Sequence, residues 1–585
     1  MSLELLPNEI LLDIFEYFDG IDLLRTFYGL NSRFNLVLHG QFPNCSFKFN
    51  SVSKHDFDKI CQHYLPTMAD YIVTLNLSDN EQTPTQIKLF LSYIPSFNRF
   101  TQLRSLSLSN LRSYQTLMKI VEGCHHLCNL THLELLYCYL QDKQIDFQLI
   151  VNHIWSLPKL IHCTIGIAIK GQCLFRTPTI ISSSLEYVSI ERIQIKLDQI
   201  NQLFEYTPSL KCLSISVPSF IDNDYIPISI PTLMDLSISS CFTCDASNMA
   251  ILLQNTPNIR RLSIDLCSEL IDGNQWEELI RNCLPKLEVF QFKMKVTLPM
   301  GQNLQNRVEE LINSFRSPFW IDEHQWFIRF LTSNRTMYLY TLSNKYEENL
   351  PVLFKSTDPH DDQQDFYNNI TKIISPTFFD QPIPIPSYIR LTQINDLSIN
   401  LPINDQFWSL VPTLNRLKTL KISFHTNAFQ SQVQALLNRA PHLEKLNIHQ
   451  YESISLQISV FKYINVSVRE LDLRGINHYF NEEECIRLSR SPLGIQCEKL
   501  SILAYNRKSI ISLIENMHKL RALNVRCKDE KYIELSTSIE DNSVEYYDDN
   551  EQNEDDCIQW LKSHLPPICI VIRDPKLTCN ILIWI

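Results

Sequence analysis

The sequence of 585 residues predicts an α/β fold in which a small N-terminal helical module precedes a long repeated array that an insertion interrupts. Two observations predict the array. A short motif, P-x-L-x-x-L, recurs along the chain, and alternating apolar and polar residues follow it, as in a half-buried strand. A third observation predicts the module, because residues 6–38 lack the motif and contain three short amphipathic stretches instead.

The repeated motif marks the strands of the array. Its clearest copies are Pro208-Leu210-Leu213, Pro231-Leu233-Leu236, Pro257-Ile259-Leu262, Pro285-Leu287-Phe290 and Pro441-Leu443-Leu446, with Pro158-Leu160-Cys163 as a weaker copy. Copies without the proline begin at Ile72, Leu103, Leu130, Leu185, Ile394, Leu417, Val468, Leu500 and Leu520. Consecutive copies begin 20 to 32 residues apart, except across one interval of 107 residues between Leu287 and Ile394.

Helices are predicted between several of these strands. Apolar residues have i, i+3 and i+4 spacing in residues 248–254, 275–282 and 430–438. The proline of the next motif follows each stretch, and it ends the helix because it lacks an N–H and moves the preceding residue out of the helical region. Helix, proline and strand are therefore expected in this order in each unit.

The motif resembles the leucine-rich repeat, whose pattern is L-x-x-L-x-L-x-x-N/C-x-L. In the copy that begins at Ile72 the ninth position is Asn80, and three further copies have a cysteine there, namely Cys138, Cys241 and Cys267. The resemblance implies that this residue faces inward and bonds neighbouring backbone, because buried N–H and C=O groups must be paired. It also implies a horseshoe-shaped solenoid in two blocks, residues 51–300 and 391–585.

The interval between the blocks, residues 301–390, predicts an inserted helix and hairpin. Residues 306–315 have helical spacing, and residues 325–330 and 336–342 have the alternation of two strands. Residues 356–386 are expected to form a loop. Six aromatic residues either pack the insertion onto the array or anchor a partner: Phe319, Trp320, Trp326, Phe327, Tyr338 and Tyr340.

The second block has two distinctive features near its end. Residues 540–556 contain nine acidic residues and no basic ones, which predicts a disordered acidic loop. The apolar run 568–572 predicts a strand that caps the array.

Residues 1–50 form the separate helical module in this prediction. The first helix follows Pro7 and ends at Asp19-Gly20, and we expect Asp22 to cap the second helix and Asn31 or Ser32 to cap the third. So short a segment cannot bury all of its large apolar side chains against one another. Some apolar surface is therefore expected to remain for a partner.

The module resembles the F-box, whose opening L-P-x-E-I-L-x-x-I-F-x-Y-L is matched here by Leu6, Pro7, Glu9, Ile10, Leu11, Ile14, Phe15 and Tyr17, followed by Asp22-Leu23-Leu24. Phe18 replaces the last leucine, and Tyr28-Gly29-Leu30 and Phe34 replace the V-C and W that come later in the family pattern. The resemblance implies docking on a Skp-type adaptor, which joins a cullin, a RING protein and a ubiquitin-conjugating enzyme. It implies that the adaptor contacts Leu6, Pro7, Ile10, Leu11, Ile14, Phe15, Leu23 and Leu24.

Together the two resemblances imply the non-catalytic substrate receptor of a Skp/cullin/F-box ubiquitin ligase, with the repeats binding an unknown target protein. Polar residues that alternate with the apolar strand positions would face that target. In the second block they are Lys421, Lys445, Asn447, His449, Glu470, Asp472 and Arg474, and in the first block they include His132, Glu134, Asp235 and Arg261. Their mixed charges favour a polar protein partner over nucleic acid or lipid, and a solvated sheet face is the alternative. The alternative function is a repeat scaffold or inhibitor that is not coupled to ubiquitination.

Composition argues against several other classes of protein. The chain has only 10 glycines and no G-x-G-x-x-G or G-x-x-x-x-G-K-[ST] loop, which argues against nucleotide-binding enzymes. Lys and Arg number 52 against 64 Asp and Glu, which argues against a nucleic-acid binder. The apolar runs are too short to span a bilayer, and the first residues do not resemble a signal peptide, so a cytoplasmic or nuclear protein with reduced thiols is expected.

Eighteen cysteines raise the question of metal binding or thiol chemistry. Cys241-Phe-Thr-Cys244 has the spacing of half a zinc site but lacks a second ligand pair nearby. Cys124-His125-His126-Leu-Cys128 is rich in ligands, but it falls at a predicted helix end just before the strand at Leu130. Repeat turns and helix packing explain both segments better, so no metal and no cofactor is expected. No cysteine is singled out as a nucleophile and no G-x-S-x-G elbow occurs, so no catalytic residue is predicted.

Overall fold

The computed structural model describes residues 3–142, 144–169, 174–217, 229–241, 246–267, 271–297, 304–333, 336–342, 353–374, 387–403, 405–424, 430–450, 458–528 and 556–585. These residues form a mixed α/β structure with two large, mostly parallel sheets. The helices are α1 Asn8–Phe15, α2 Gly20–Phe27, α3 Ser32–Gln41, α4 Lys54–Lys59, α5 Leu65–Met68, α6 Gln86–Tyr93, α7 Tyr114–Gly123, α8 Phe147–Trp155, α9 Leu197–Glu205, α10 Ala246–Leu253, α11 Gly273–Cys283, α12 Leu304–Ser314, α13 Gln363–Asn368, α14 Asp405–Leu410, α15 Gln430–Arg439, α16 Glu482–Ser489, α17 Arg507–Asn516 and α18 Asp556–His564.

The strands are β1 Ser46–Lys48, β2 Thr74–Ser78, β3 Ser105–Ser109, β4 His132–Leu140, β5 His162–Ile169, β6 Tyr187–Gln194, β7 Cys212–Ser216, β8 Asp235–Cys241, β9 Arg261–Cys267, β10 Val289–Thr297, β11 Ile328–Ser333, β12 Thr336–Thr341, β13 Leu353–Ser356, β14 Lys372–Ile373, β15 Asp396–Asn400, β16 Thr419–Phe424, β17 Lys445–Gln450, β18 Glu470–Asp472, β19 Lys499–Ala504, β20 Ala522–Cys527, β21 Ile570–Arg573 and β22 Ile581–Trp584. No helix in the described ranges is both long and apolar enough to cross a membrane.

The first sheet follows the order of the chain. Strands β1 to β10 lie side by side and parallel, and β12, β11 and β13 extend the sheet in antiparallel pairing. The register places equivalent apolar residues of neighbouring strands opposite one another, as Leu75 lies beside Leu106 and Leu106 beside Leu133. All three are fully buried. The repeated leucines of the sequence therefore form continuous rows in the core.

One backbone arrangement recurs at the start of the strands. The amides of Thr131 and His132 both donate to the carbonyl of Arg104 in the unit before, each at 2.9 Å. In the second sheet the amides of Lys418 and Thr419 donate in the same way to Asn395 O, at 2.8 and 2.9 Å. Successive units are therefore locked in register through backbone groups, whatever their side chains.

The second sheet has the same plan. Strands β14 to β20 are parallel and in chain order, and the antiparallel pair β22 and β21 completes the edge after β20. The predicted C-terminal strand at 568–572 is confirmed as β21, and β22 adds a second capping strand. Residues 529–555, which include all but the last residue of the predicted acidic loop, lie outside the described residues.

Most predicted motif copies lie two residues ahead of an observed strand, as Leu103 does before β3. The copy placed at Leu500 is wrong by three residues. Leu500 lies opposite Leu471 and Leu523, which occupy the second apolar position of their units. The unit therefore begins at Cys497, which is fully buried in the place of a leucine.

The insertion has the predicted helix and hairpin, as α12 followed by the antiparallel pair β11 and β12. Phe319 and Trp320 are buried, and the Trp320 ring lies 6.0 Å from that of Phe290 in the array. Phe319, Trp320 and Trp326 thus pack the insertion onto the first sheet, whereas Tyr338 and Tyr340 belong to the second core. The expectation of a plain loop over 356–386 is wrong for residues 356–374, because buried Phe366 and Ile370 fold α13 and β14 against the second core. Residues 375–386 lie outside the described residues.

The two ends of the array are in contact. Trp584 Nε1 donates to Val52 O at 2.9 Å, and the Lys54 amide donates to Ile585 O at 2.8 Å. The Trp584 ring is fully buried 5.1 Å from that of Phe57, and it belongs to the core beneath the first sheet. Because β22 belongs to the second sheet, the last strand closes the array onto the first unit.

Candidate functional site

The first three helices form a small module with an aromatic centre. The ring of Phe15 lies 4.8 Å from that of Phe27, and Phe27 stacks on Phe34 at 6.0 Å. Asp19, and not Asp22 as expected, caps α2 by accepting from the Asp22 amide at 2.9 Å. The prediction of a cap for α3 is confirmed for Asn31, which accepts from the amide at its third helical position at 2.9 Å.

The structure divides the eight predicted adaptor residues into two sets. Leu11, Phe15, Leu23 and Leu24 are buried in the module core, where they hold the helices together. The other four are accessible to different degrees: Leu6 and Ile14 are half-buried, Pro7 is exposed, and Ile10 is 43% exposed.

The accessible residues of α1 lie on one face with a further aromatic residue. Pro7, Ile10, Ile14 and Tyr17 have spacings of three and four residues, so they align along the helix and its final turn. We call these four residues the apolar stripe. Tyr17 is 89% exposed. Tyr17 is not among the eight predicted adaptor residues, although its helical spacing from Ile10 and Ile14 is present in the sequence.

Arg33 of α3 fixes the segment that leads into the apolar stripe. Its Nη1 donates to Glu4 O at 2.6 Å, its Nη2 donates to Leu6 O, and its Nε donates to Asn8 Oδ1 at 2.9 Å. Asn31 Nδ2 adds a hydrogen bond to the Glu4 carboxylate at 3.1 Å. The chain ahead of α1 is therefore held on α3, and the apolar stripe has a defined position.

The module is joined to the first unit of the array by side-chain contacts. Arg25 of α2 pairs with Asp56 of α4 at 3.1 Å. The ring of Tyr28 lies 5.0 Å from that of Tyr64. These contacts attach the module to the unit that also receives the chain end.

The predicted target-binding residues of the second block lie on one surface. Lys445 pairs with Glu470 across β17 and β18. Arg474 binds Asp472 through Nη2 at 2.7 Å and through Nε at 3.1 Å, and this contact is the main reason that its pKa is raised. We call the seven side chains predicted in this block the polar face: Lys421, Lys445, Asn447, His449, Glu470, Asp472 and Arg474.

Lys421 and His449 complete this surface. Lys421 is exposed on β16, next to Asn447 of β17, and Asn447 in turn lies beside Asp472. The pKa of His449 is lowered, first by burial and then by the charge of Lys421. All seven predicted residues are thus close together, and four of them form two ion pairs.

The polar residues predicted in the first block lie on the first sheet. His132 and His162 stack at 4.3 Å, and Tyr187 stacks on His162 at 3.9 Å. Asp235 and Arg261, from the same face, line a cavity of about 600 Å³ together with His162 and Tyr187. This surface and the polar face belong to different sheets.

A second cavity lies where the two ends of the array meet, and we call it the closure cavity. Its volume is about 410 Å³. The turns after β2 and β3 and the first turns of α6 and α7 form one wall, and residues of β17 to β22, with the turn between β21 and β22, form the other. Its charged and amide side chains include Asp79, Glu81, Lys88, Arg112, Lys445, Glu470, Lys499, Asn524 and Lys576.

Burial shifts the ionisation of several groups around this cavity. It raises the pKa of Asp79 to about 7, although the Ile87 amide, which donates to Asp79 Oδ1 at 2.8 Å, and the charge of Arg112 both oppose the shift. The pKa of Arg112 is lowered by burial, against the attraction of Asp574, Asp79 and Glu81. Burial also lowers the pKa of Lys499.

The cysteine segments considered for metal binding do not form a ligand cluster in the described residues. Cys124 is buried, and burial raises its pKa to about 12, whereas Cys128 is exposed. His125 Nε2 faces His153 Nδ1 at 3.4 Å. Cys244 lies outside the described residues.

No protein-family model matches this chain, and no curated protein matches it. The apolar stripe, the polar face and the closure cavity are the features of the structure that bear on its function.

Proposed function

We propose that this chain is the substrate-recognition subunit of a Skp/cullin/F-box ubiquitin ligase. The helical module is an F-box that docks on a Skp-type adaptor, and the array is a leucine-rich-repeat solenoid that holds the target protein. The chain contributes proximity, because it raises the local concentration of the target near the conjugating enzyme and leaves the chemistry to other subunits.

The apolar stripe is the observation that carries this proposal. Pro7, Ile10, Ile14 and Tyr17 present apolar surface on a helix that is already packed on its other side. Apolar residues that cluster on a surface typically mark an interaction site. Arg33 holds the segment before the stripe in place, so the surface is ordered before a partner binds, which lowers the entropic cost of docking.

The form of the array supports the second half of the proposal. Strands in chain order, rows of buried leucines and paired amide donors at each unit are what a repeat solenoid requires. The polar face then supplies an extended surface of mixed charge for a protein target.

Co-purification of the full chain with a Skp-type adaptor tests the first step. We expect the wild-type chain to co-elute with the adaptor and Ile10→Asp to lose binding, because a carboxylate would be desolvated in the apolar interface. Leu149→Asp is the matched control, since Leu149 lies on α8 and is 40% exposed, much as Ile10 is. It should fold and bind the adaptor like the wild type.

Failure of the wild-type chain to bind the adaptor would remove the basis of the proposal. Adaptor binding without ubiquitin transfer to any bound target, in a reconstituted ligase, would instead favour a scaffold or inhibitor.

A further inference from the structure

The closure cavity contains one buried hydrogen-bond donor that the described residues leave unused. Arg112 Nη1 is inaccessible to solvent and has no hydrogen-bond partner among them. The three acids whose charges act on Arg112 are engaged elsewhere. Asp79 accepts from the Ile87 amide at 2.8 Å, and Asp574 accepts from the Lys576 amide at 2.9 Å. Glu81 accepts from Asn524 at 3.2 Å. A buried donor without an acceptor is costly, and an acidic ligand atom would satisfy it.

The cavity also contains an unused acceptor. Asn524 Nδ2 donates to Glu81 Oε2, and this contact fixes the orientation of the amide because a carboxylate can only accept. Asn524 Oδ1 then points to a buried position with no hydrogen-bond partner in the described structure. The site therefore offers one donor from a guanidinium and one acceptor from an amide.

The other residues that line the cavity favour a ligand that carries both a negative charge and an apolar group. Five basic side chains and three carboxylates line the cavity. Lys88 and Lys576 are exposed at its rim. The apolar residues of the wall are Ala522, Ile572, Leu582 and two prolines, whereas the side chain of Leu500 packs into the second core.

We propose that the closure cavity binds the free C-terminal carboxylate of a target polypeptide whose last residue is apolar. The carboxylate accepts from Arg112, the last backbone N–H donates to Asn524 Oδ1, and the last side chain packs against Ile572 and Leu582. A volume of about 410 Å³ lies within the ordinary range for ligand sites. This inference rests on the proposed function, in which the chain binds a target protein, and it deepens that function by naming the class of target.

The position of the cavity favours a polypeptide over a free metabolite. Lys445 and Glu470 belong to both the cavity wall and the polar face. A polypeptide that leaves the cavity therefore continues over Asp472 and Arg474, whose charged side chains can pair with it. A free small carboxylate would make no use of that surface.

A peptide-selection experiment on the full chain tests the inference. The probe is an octapeptide library with three randomised C-terminal residues, synthesised once with a free carboxylate and once as the C-terminal amide. The immobilised chain is incubated with each library, and bound peptides are quantified by mass spectrometry. We expect free acids with an apolar last residue to be enriched at least about tenfold over the matching amides, since a charge-assisted hydrogen bond is lost in the amide.

Three variants locate the binding. Arg112→Gln should reduce the enrichment at least about tenfold. Lys576→Glu, at an exposed position on the rim, should also weaken it without disturbing the fold. Lys119→Glu makes the same charge reversal at an exposed position of α7 that does not line the cavity, and it should bind like the wild type. Melting curves of all three confirm that they fold.

Equal enrichment of acids and amides, no enrichment at all, or full binding by folded Arg112→Gln would overturn the inference. So would competition by free N-acetylleucine at the same concentration as the selected peptides, because it would identify a site for small carboxylates. Co-elution with the Skp-type adaptor, measured for the wild type and for Arg112→Gln, separates this test from the proposed function. The proposed function fails if the wild type binds peptide but not the adaptor. The inference alone fails if the wild type binds the adaptor but not the peptide.

Discussion

Replacing Asp79 by asparagine should stabilise the protein at pH 8 and have a smaller effect at pH 5. Asp79 is largely buried at the closure cavity, and its pKa is raised to about 7 by that burial. An unfolded chain has an aspartate pKa of about 3.9. The folded state therefore binds the proton more tightly, and the stability that this proton provides is lost as the pH rises through 7. Asparagine keeps an acceptor for the Ile87 amide but has no charge to bury.

The magnitude follows from the two pKa values. As the pH rises from 5 to 8, ionisation of this carboxyl lowers the free energy of unfolding of the wild type by up to about 3 kcal/mol. Partial access of the carboxyl to solvent reduces this loss to about 1–2 kcal/mol. Urea unfolding of both proteins at the two pH values measures it as a difference of differences. Asp142→Asn is the control, because Asp142 accepts from the Tyr114 amide of the preceding unit at 2.7 Å and does not line the cavity. An advantage of Asp79→Asn that is equal at both pH values would refute the reasoning.

Two further substitutions test the packing. Trp584→Ala should destabilise the chain by about 3–5 kcal/mol, because a fully buried indole that donates to Val52 O is removed, and hydrogen exchange should show loss of protection around residue 52. Gly20→Ala should cost about 1–3 kcal/mol in urea unfolding, because its new Cβ would lie 2.8 Å from the buried ring of Phe47; Gly40→Ala meets nothing within 4 Å and should be neutral or stabilising. A stable Gly20→Ala protein would show that the module tolerates movement of that ring.

The strands of the array could be predicted because their signal is local. In each unit the apolar positions of one strand face one core, so period 2 and the proline ahead of it suffice to place β7, β8 or β17 within two residues. The prediction went wrong where another residue replaces leucine. Cys497 is as well buried as any leucine of the motif, and a search for leucine therefore placed its unit three residues late. The loop expected over 356–374 was wrong for a related reason, because charged residues concealed the helical spacing of Phe366 and Ile370.

The closure cavity could not be predicted, because its residues come from opposite ends of the chain. Asp79 and Arg112 lie in turns of the first units, and Asn524 and Lys576 lie in the last. Nothing in the local pattern of either segment shows that the array closes on itself. The contact depends on Trp584, which follows the last motif copy and gives no signal other than being a large apolar residue near a capping strand. In the module, Ile10, Leu11 and Phe15 all match the family pattern, so residue type alone does not predict which of them is exposed. Only the packing of the helices shows that Leu11 and Phe15 are buried and that Ile10 is accessible.

Closure gives the first unit of the array two roles at once. Helix α4 receives Arg25 of the module through Asp56, and its Phe57 packs on Trp584 from the last strand. The adaptor-binding surface that we propose and the cavity that we propose for the target are therefore attached to the same element. Because a proximity mechanism depends on the distance and orientation between adaptor and target, a short rigid path between the two surfaces is more effective than one through the length of a flexible array. On this reasoning, loosening the contact at Trp584 should reduce ubiquitin transfer more than it reduces adaptor binding, since the module would still dock while the target end moved.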